Sequence, residues 1–198
     1  MTHGVARAFC GIALAAFALF PQSCVRAEPA ATVSHIFVAA DGDGHLRRGL
    51  HVVEHATGSC WINSIVTTRP DAWRCASKHL IYDPCFALSY SSGQVACVLS
   101  PFSPSVTILR LTAALPRVDS GQAGSGIPWA LRLSNGDQCV FVAGATTTVA
   151  GMRANYFCKK SGPLFGSPDT KSPVWRIFSA EARSAEHLTQ VGIAEAVY

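Results

Sequence analysis

The residues best able to do chemistry in this chain are two histidines that flank a glutamate, in the order His51-Val52-Val53-Glu54-His55. This H-x-x-E-H spacing is the inverted signature of zinc peptidases, in which a helix brings both histidines onto one face and the glutamate acts as general base. The local sequence predicts a strand instead, since Val52 and Val53 are β-branched and glycines bracket the segment. In a strand the two histidines would lie about 13 Å apart, too far to share a metal ion. A zinc peptidase using His51, Glu54 and His55 is therefore an alternative hypothesis only.

A second candidate for metal chemistry is the acidic stretch Asp41-Gly42-Asp43-Gly44, which is similar to the start of a calcium-binding loop. A full EF-hand loop needs an acidic ligand at its twelfth position, and that position holds Val52 here. The stretch therefore predicts a tight turn. We expect no metal site and no cofactor from the sequence.

The cysteines divide into two in the first 27 residues and six in the remainder of the chain. Close C-x₂-C pairs, which are typical of zinc sites, do not occur. Six cysteines allow 15 pairings, and the sequence leaves the choice open, but pairing of neighbours closes the shortest loops. Each loop of about 15 residues would contribute roughly 3 kcal/mol in the chain-entropy description. The favoured pairs are Cys60–Cys75, Cys85–Cys97 and Cys139–Cys158.

The first 27 residues predict export of the chain. Arg7 precedes an apolar run from Ala8 to Phe20, which is too short to span a bilayer, and Val25-Arg26-Ala27 is typical of a signal-peptidase site. Cys24 lacks the leucine that a lipoprotein signal places three residues earlier. We therefore expect a secreted or periplasmic protein that begins at Glu28, in a compartment where disulfides persist.

Charge excludes one class of partner. Loss of Arg7 and Arg26 with the leader leaves 14 of the 16 basic residues against 12 acidic ones, so the net charge falls from +4 to +2. A chain so close to neutral lacks the basic footprint of a nucleic-acid-binding protein. Its short basic pairs also fall below the four to eight charges of a polybasic membrane segment. We expect neither nucleic-acid binding nor stable membrane insertion.

Aromatic and charged residues alternate around the first cysteines, and they form the candidate binding site. Tryptophan and arginine dominate binding hot spots, so a ligand platform could be built here. The competing interpretation is that the tryptophans pack against disulfides in the core, since large aromatic side chains dominate core burial. The candidate ligand-binding residues are Trp61, Trp73, Arg74, Tyr82 and Asp83.

The elements that must position these residues are mostly strands. Short β-prone runs alternate with Gly, Pro, Asn and Asp, as at Val106–Leu111, and Asn135-Gly136 predicts a hairpin because both residues tolerate positive φ. Short helices are expected at Asp71–Ala76, after a proline, and at Ala180–His187. The predicted fold is mostly β: a single disulfide-stapled sandwich or small barrel with short helices. We divide the chain into a signal peptide (1–27), an N-terminal segment of uncertain order (28–57) and a disulfide-rich β domain (58–198).

Several short motifs rich in Cys, Trp and Pro are spread from Gly58 to the C-terminus. They are Gly58-Ser59-Cys60-Trp61, Arg69-Pro70-Asp71-Ala72-Trp73-Arg74-Cys75, Ile81-Tyr82-Asp83-Pro84-Cys85-Phe86, Pro128-Trp129-Ala130-Leu131, Cys139, Gly144-Ala145-Thr146, Asn155-Tyr156, Cys158 and Pro173-Val174-Trp175. In these motifs the chain resembles a family of uncharacterised bacterial secreted proteins and lipoproteins. The resemblance implies an extracellular module and carries no activity with it.

These observations favour a binding module over an enzyme. The main hypothesis is a secreted bacterial binding or sensing module whose ligand is a cell-wall glycan, a small solute or a protein of the cell envelope or extracellular space. One alternative is a secreted inhibitor of a hydrolase, which rests on fold-level analogy. A further alternative is a hydrolase, including the zinc peptidase of His51, Glu54 and His55.

Overall fold

The computed structural model describes residues 30–88, 91–117, 126–180 and 187–198. All regular secondary structure within these ranges is β-strand. The predicted leader and most of the predicted helix at Ala180–His187 lie outside these ranges. The mostly β fold is confirmed. The strands are β1 (Val33–His35), β2 (His51–Asn63), β3 (Ala72–Ser77), β4 (Leu80–Leu88), β5 (Ser91–Cys97), β6 (Ser105–Leu111), β7 (Ala130–Leu133), β8 (Gln138–Phe141), β9 (Thr148–Val149), β10 (Met152–Cys158), β11 (Gly162–Asp169), β12 (Arg176–Ser179) and β13 (Thr189–Val197).

The first sheet is a closed five-stranded barrel made of β2 to β6. Neighbouring strands pair antiparallel in chain order, and β2 closes the barrel by pairing parallel with β6. Closure removes the exposed edges that a sheet of this size would otherwise present. Two disulfides, Cys60–Cys75 and Cys85–Cys97, each join residues that face one another on adjacent strands.

The second sheet has eight strands, and six of them form a ring because β13 pairs with both β12 and β7. β1 adds to β13 in parallel, and the two-residue β9 pairs with β10. The third disulfide, Cys139–Cys158, joins facing residues of β8 and β10. All three disulfides therefore have the pairing that neighbour spacing favoured.

A shared apolar core joins the two sheets. Three aromatic rings meet there: Phe37 lies 5.5 Å from Phe86 of the first barrel and 5.7 Å from Trp129, which precedes β7 of the second sheet. Each is almost fully buried. Ala96 and Val98 from the first sheet and Val197 from the second belong to the same cluster. Both sheets therefore contribute to one shared hydrophobic cluster, in addition to the buried cluster that each has of its own.

The helix expected at Asp71–Ala76 is wrong, because Ala72–Ser77 forms strand β3. Trp73, Cys75 and Ser77 are buried while Arg74 and Ala76 are partly exposed, which is the two-residue period of a strand. Pairing with β2 and β4 on either side, together with the Cys60–Cys75 bond, satisfies this backbone in an extended form. These long-range contacts override the local signal of a proline at a helix start.

The described part of the N-terminal segment, residues 30–57, contributes to both sheets. Its residues include β1 and the first half of β2, and the predicted division at residue 57 falls inside β2. The hairpin at Asn135-Gly136 is confirmed between β7 and β8. Four residues connect the two strands, of which only Gly136 has a positive φ, and the Gly136 N–H donates a hydrogen bond to Leu133 O.

The part of the chain that the structure describes contains no helix with the length and apolar character needed to cross a membrane.

Candidate functional site

The outer face of the first barrel brings together Arg74 and Asp83, from β3 and β4. A guanidinium nitrogen of Arg74 lies 3.6 Å from a carboxylate oxygen of Asp83, and the Asp83 side chain is 8 % exposed. The Ser64 hydroxyl donates a 2.5 Å hydrogen bond to the other Asp83 oxygen, and the Ile65 N–H donates a 3.3 Å bond to the oxygen that faces Arg74. The carboxylate is thus fixed by the chain immediately after β2. The Arg74 guanidinium contacts it only by the longer ion pair.

Burial of Asp83 disfavours the charged form of its carboxyl group. Burial raises the pKa of the Asp83 carboxyl above its ordinary value, although the hydrogen bonds from Ser64 and Ile65 and the charge of Arg74 oppose this rise. A carboxylate removed from water in this way needs its cationic neighbour, because an unpaired buried charge is costly. Asp83 therefore holds Arg74 at the surface of the barrel.

Trp61 lies beside this pair. β2 bulges between Cys60 and Ile62, and the Trp61 ring centre is 5.9 Å from the Arg74 guanidinium carbon. Trp61 is 44 % exposed, so a large aromatic face remains in contact with water next to the cation. An arginine near an aromatic ring gains a cation–π attraction of about 0.5–1 kcal/mol at an exposed site.

A groove of about 250 Å³ runs from Arg74 and Asp83 to the second sheet. Its far wall is formed by the end of β8 and the residues after it, so the groove lies at the junction of the two sheets. Two further exposed apolar residues lie beside the first-barrel side of the groove: Ile62 of β2, which pairs with Arg74, and Ile65 in the following turn, which bonds Asp83. We call it the junction groove, and its lining residues are Val66, Arg74, Ile81, Asp83, Leu99, Phe141, Val142 and Ala143.

Two of the five predicted binding residues lie elsewhere. Trp73 and Tyr82 are buried in a cluster with the cysteines of the first barrel, as the core interpretation expected for Trp73. The Tyr82 hydroxyl lies 3.4 Å from a Glu54 carboxylate oxygen, and burial together with the nearby Glu54 charge raises the pKa of Tyr82. Only Trp61, Arg74 and Asp83 come together at the surface.

The H-x-x-E-H motif lies in strand β2, as its β-branched residues predicted. His51, Glu54 and His55 are exposed, and β2 has an irregularity between Val52 and Glu54. The helical geometry that a zinc peptidase needs is therefore not present at this motif. Within the described ranges, these residues do not form a group of three potential metal ligands.

The stretch Asp41–Gly44 forms the predicted tight turn. One Asp41 carboxylate oxygen accepts hydrogen bonds from the backbone N–H groups of Asp43 and His45, at 3.1 and 2.9 Å. Ligand atoms of Asp41, Asp43 and His45 lie within 4.8 Å of one another, and all three residues are exposed. The hydrogen bonds of the turn account for this convergence without an ion.

Sequence reasoning missed the apolar half of the junction groove. Ile81 in β4 is 54 % exposed, whereas alternation along a strand would normally place a polar residue outside, and Leu99, just after β5, is 62 % exposed. Phe141, Val142 and Ala143 come from the second sheet, so no local pattern could have linked them to Arg74.

A scan against protein-family models found no match, and searches of curated proteins and of solved structures found no similar chain. The resemblance to bacterial secreted proteins and lipoproteins stays a prediction.

Proposed function

We propose that this protein is an extracytoplasmic binding or sensing module, and that the junction groove is its binding surface. Exposed apolar side chains that surround a charged pair are typical of protein surfaces used in binding. The three disulfides support a role outside the reducing cytoplasm. The observation that carries the proposal is the grouping of Trp61, Arg74 and Leu99 at one exposed place.

The groove also has the form of a preformed site. The Asp83 carboxylate is held by Ser64 and Ile65 before any ligand arrives. The disulfide Cys60–Cys75 lies on the same two strands as Trp61 and Arg74, and Cys85–Cys97 ties the end of β5, just before Leu99, to β4. Such cross-links limit the movement of the binding residues, which reduces the entropy lost on binding.

Site-specific photo-crosslinking tests this proposal. A photoreactive phenylalanine analogue is placed at Leu99 in the groove or at Val33 on β1, two positions with the same exposure of 62 %. The protein is produced with its leader and irradiated together with the cell envelope. We expect a discrete adduct from position 99 and none from position 33. No adduct at position 99, or equal adducts at both, would contradict the junction groove as the binding surface.

The histidine motif supplies a second comparison. The double variant His51→Ala and His55→Ala should give the same adduct from position 99, because neither histidine lines the groove. Loss of the adduct in a folded double variant would transfer the binding role to the histidine motif at the start of β2. Stoichiometric zinc that disappears in this variant would favour the peptidase alternative.

A further inference from the structure

The chemistry of the junction groove points to one class of partner, an inference that rests on the proposed function of the groove. We propose that the partner is a protein that places a carboxylate side chain against Arg74 and packs apolar side chains on either side of it.

The carboxylate follows from the hydrogen-bonding state of Arg74. A guanidinium carries five N–H donors in a planar fork. In the described part of the chain none of these donors makes a hydrogen bond, and the ion pair with Asp83 spans 3.6 Å. The Asp83 oxygens, in contrast, already accept hydrogen bonds from Ser64 and Ile65. The guanidinium therefore offers unused donors to an incoming acceptor, and a carboxylate can accept two of them in parallel.

The apolar flanks indicate a protein partner. Five large apolar side chains in or beside the groove are 42–62 % exposed, and all but the tryptophan are aliphatic: Trp61, Ile62, Ile65, Ile81 and Leu99. The second-sheet wall adds Phe141, Val142 and Ala143. Aliphatic surface gains free energy by covering other apolar surface, whereas the hydroxyl groups of a glycan require polar partners to replace water. A tryptophan and an arginine amid aliphatic side chains match the composition of protein–protein hot spots.

The partner chemistry is tested by NMR titration with matched peptides. The probes are acetyl-Leu-Asp-Leu-amide and acetyl-Leu-Asn-Leu-amide, which differ in one charge but not in shape, and chitotriose as a glycan probe. We expect the aspartate peptide to shift backbone resonances around positions 61–65, 81–83, 99 and 141–143 with a millimolar Kd. The asparagine peptide should bind about tenfold more weakly, because it cannot form a charge-assisted pair.

Variants assign the effect to Arg74. Arg74→Gln should lower the affinity for the aspartate peptide to that for the asparagine peptide, and Arg74→Lys should retain part of the difference because it keeps the charge but loses the fork. Arg110→Gln, an exposed arginine outside the groove, is the matched control.

Because Arg74→Gln leaves Asp83 without its cation, Leu99→Ser provides a second test. It should weaken both peptides equally, by about threefold, through lost apolar contact.

The outcomes separate this inference from the proposed function. Equal affinity for the two peptides at the groove would overturn the carboxylate. Groove shifts with chitotriose alone would overturn the protein partner and favour a glycan. If no probe shifts the groove but crosslinking at position 99 succeeds, the partner chemistry is wrong and the proposed function stands. Failure of both experiments would overturn both.

Discussion

At the scale of single residues, two aspartates show how the surroundings decide what a carboxylate does. Asp83 is held beside Arg74 at the groove, and burial raises its pKa. Asp137 is buried between two turns of the second sheet and accepts hydrogen bonds from the N–H groups of Gln138, Lys160 and Ser161. Burial opposes its charge as well, but these hydrogen bonds outweigh burial and lower the pKa of Asp137. The charge of Asp137 therefore stabilises the fold.

Asp137→Asn should lower the free energy of unfolding at pH 7 by about 2 kcal/mol, because an amide oxygen replaces a carboxylate that accepts several N–H groups. A carboxyl whose pKa is lowered by folding contributes stability above its unfolded pKa, near 3.9, and loses it as the pH falls through the folded value. The difference between the two proteins should therefore begin to shrink as the pH falls below about 4 and should vanish only below the folded pKa of Asp137. Urea unfolding from pH 2 to 7 measures this, with the exposed Asp43→Asn as control. A difference that is constant with pH would contradict the role of the charge.

Gly58 shows a steric requirement within a strand. A Cβ atom at this position would lie 2.1 Å from the carbonyl oxygen of Ala76 on the neighbouring strand β3. Gly58→Ala should therefore push β2 and β3 apart and cost about 1–3 kcal/mol, as overpacking of a core does. Gly42→Ala is the control, because no atom lies within 4 Å of its Cβ position. Thermal melting decides the prediction, and an equal effect of the two substitutions would refute it.

At the scale of elements, the β9–β10 hairpin has a residue that does not suit its turn. The two-residue turn has positive φ at both positions, +47° at Ala150 and +76° at Gly151. Such turns favour Asn-Gly, because the Cβ atom of alanine is sterically unfavourable in the left-handed backbone conformation. Ala150→Asn should raise the free energy of unfolding by about 0.5–1 kcal/mol. The urea midpoint measures it, with Ala145→Asn in the neighbouring loop as control. A loss of stability, or the same gain from both variants, would count against it.

Elements also show where local patterns succeed and fail. The strand at Val106–Leu111 was predicted because its own residues favour an extended chain, and β6 covers Ser105–Leu111. The segment Ala72–Ser77 carried a local helix signal but became β3, because pairing on both sides and a disulfide outweigh a proline at its start. Periodicity over six residues is too short a signal to decide between such outcomes.

At the scale of the whole molecule, the two sheets meet through a single core, so their stabilities should be coupled. Phe37 lies before β2 and contacts Phe86 of the first barrel and Trp129 of the second sheet. The unaltered protein should therefore unfold in one cooperative transition. Phe37→Ala should cost about 3–5 kcal/mol and destabilise both sheets.

Calorimetry and hydrogen exchange by region test this coupling. The control is Phe157→Ala, because Phe157 is 41 % exposed and its removal should cost much less. Two separate transitions in the unaltered protein, or a loss of protection confined to one sheet in Phe37→Ala, would show that the sheets fold independently.

The sequence by itself determined the β class and the hairpin at Asn135-Gly136, and it favoured, without deciding, the cysteine pairing that the structure has. These features depend on local conformational preference and on short loops, so their physical causes lie close together in the chain. It also predicted that Trp61, Arg74 and Asp83 belong to one candidate site. Only the tertiary structure separated them from the buried Trp73 and Tyr82, since alternate residues of a strand face opposite sides and bulges change that order. The closure of β2 on β6 and the wall of Phe141, Val142 and Ala143 required contacts between distant parts of the chain. Such contacts depend on how the sheets pack, which cannot be predicted from any short segment of the sequence.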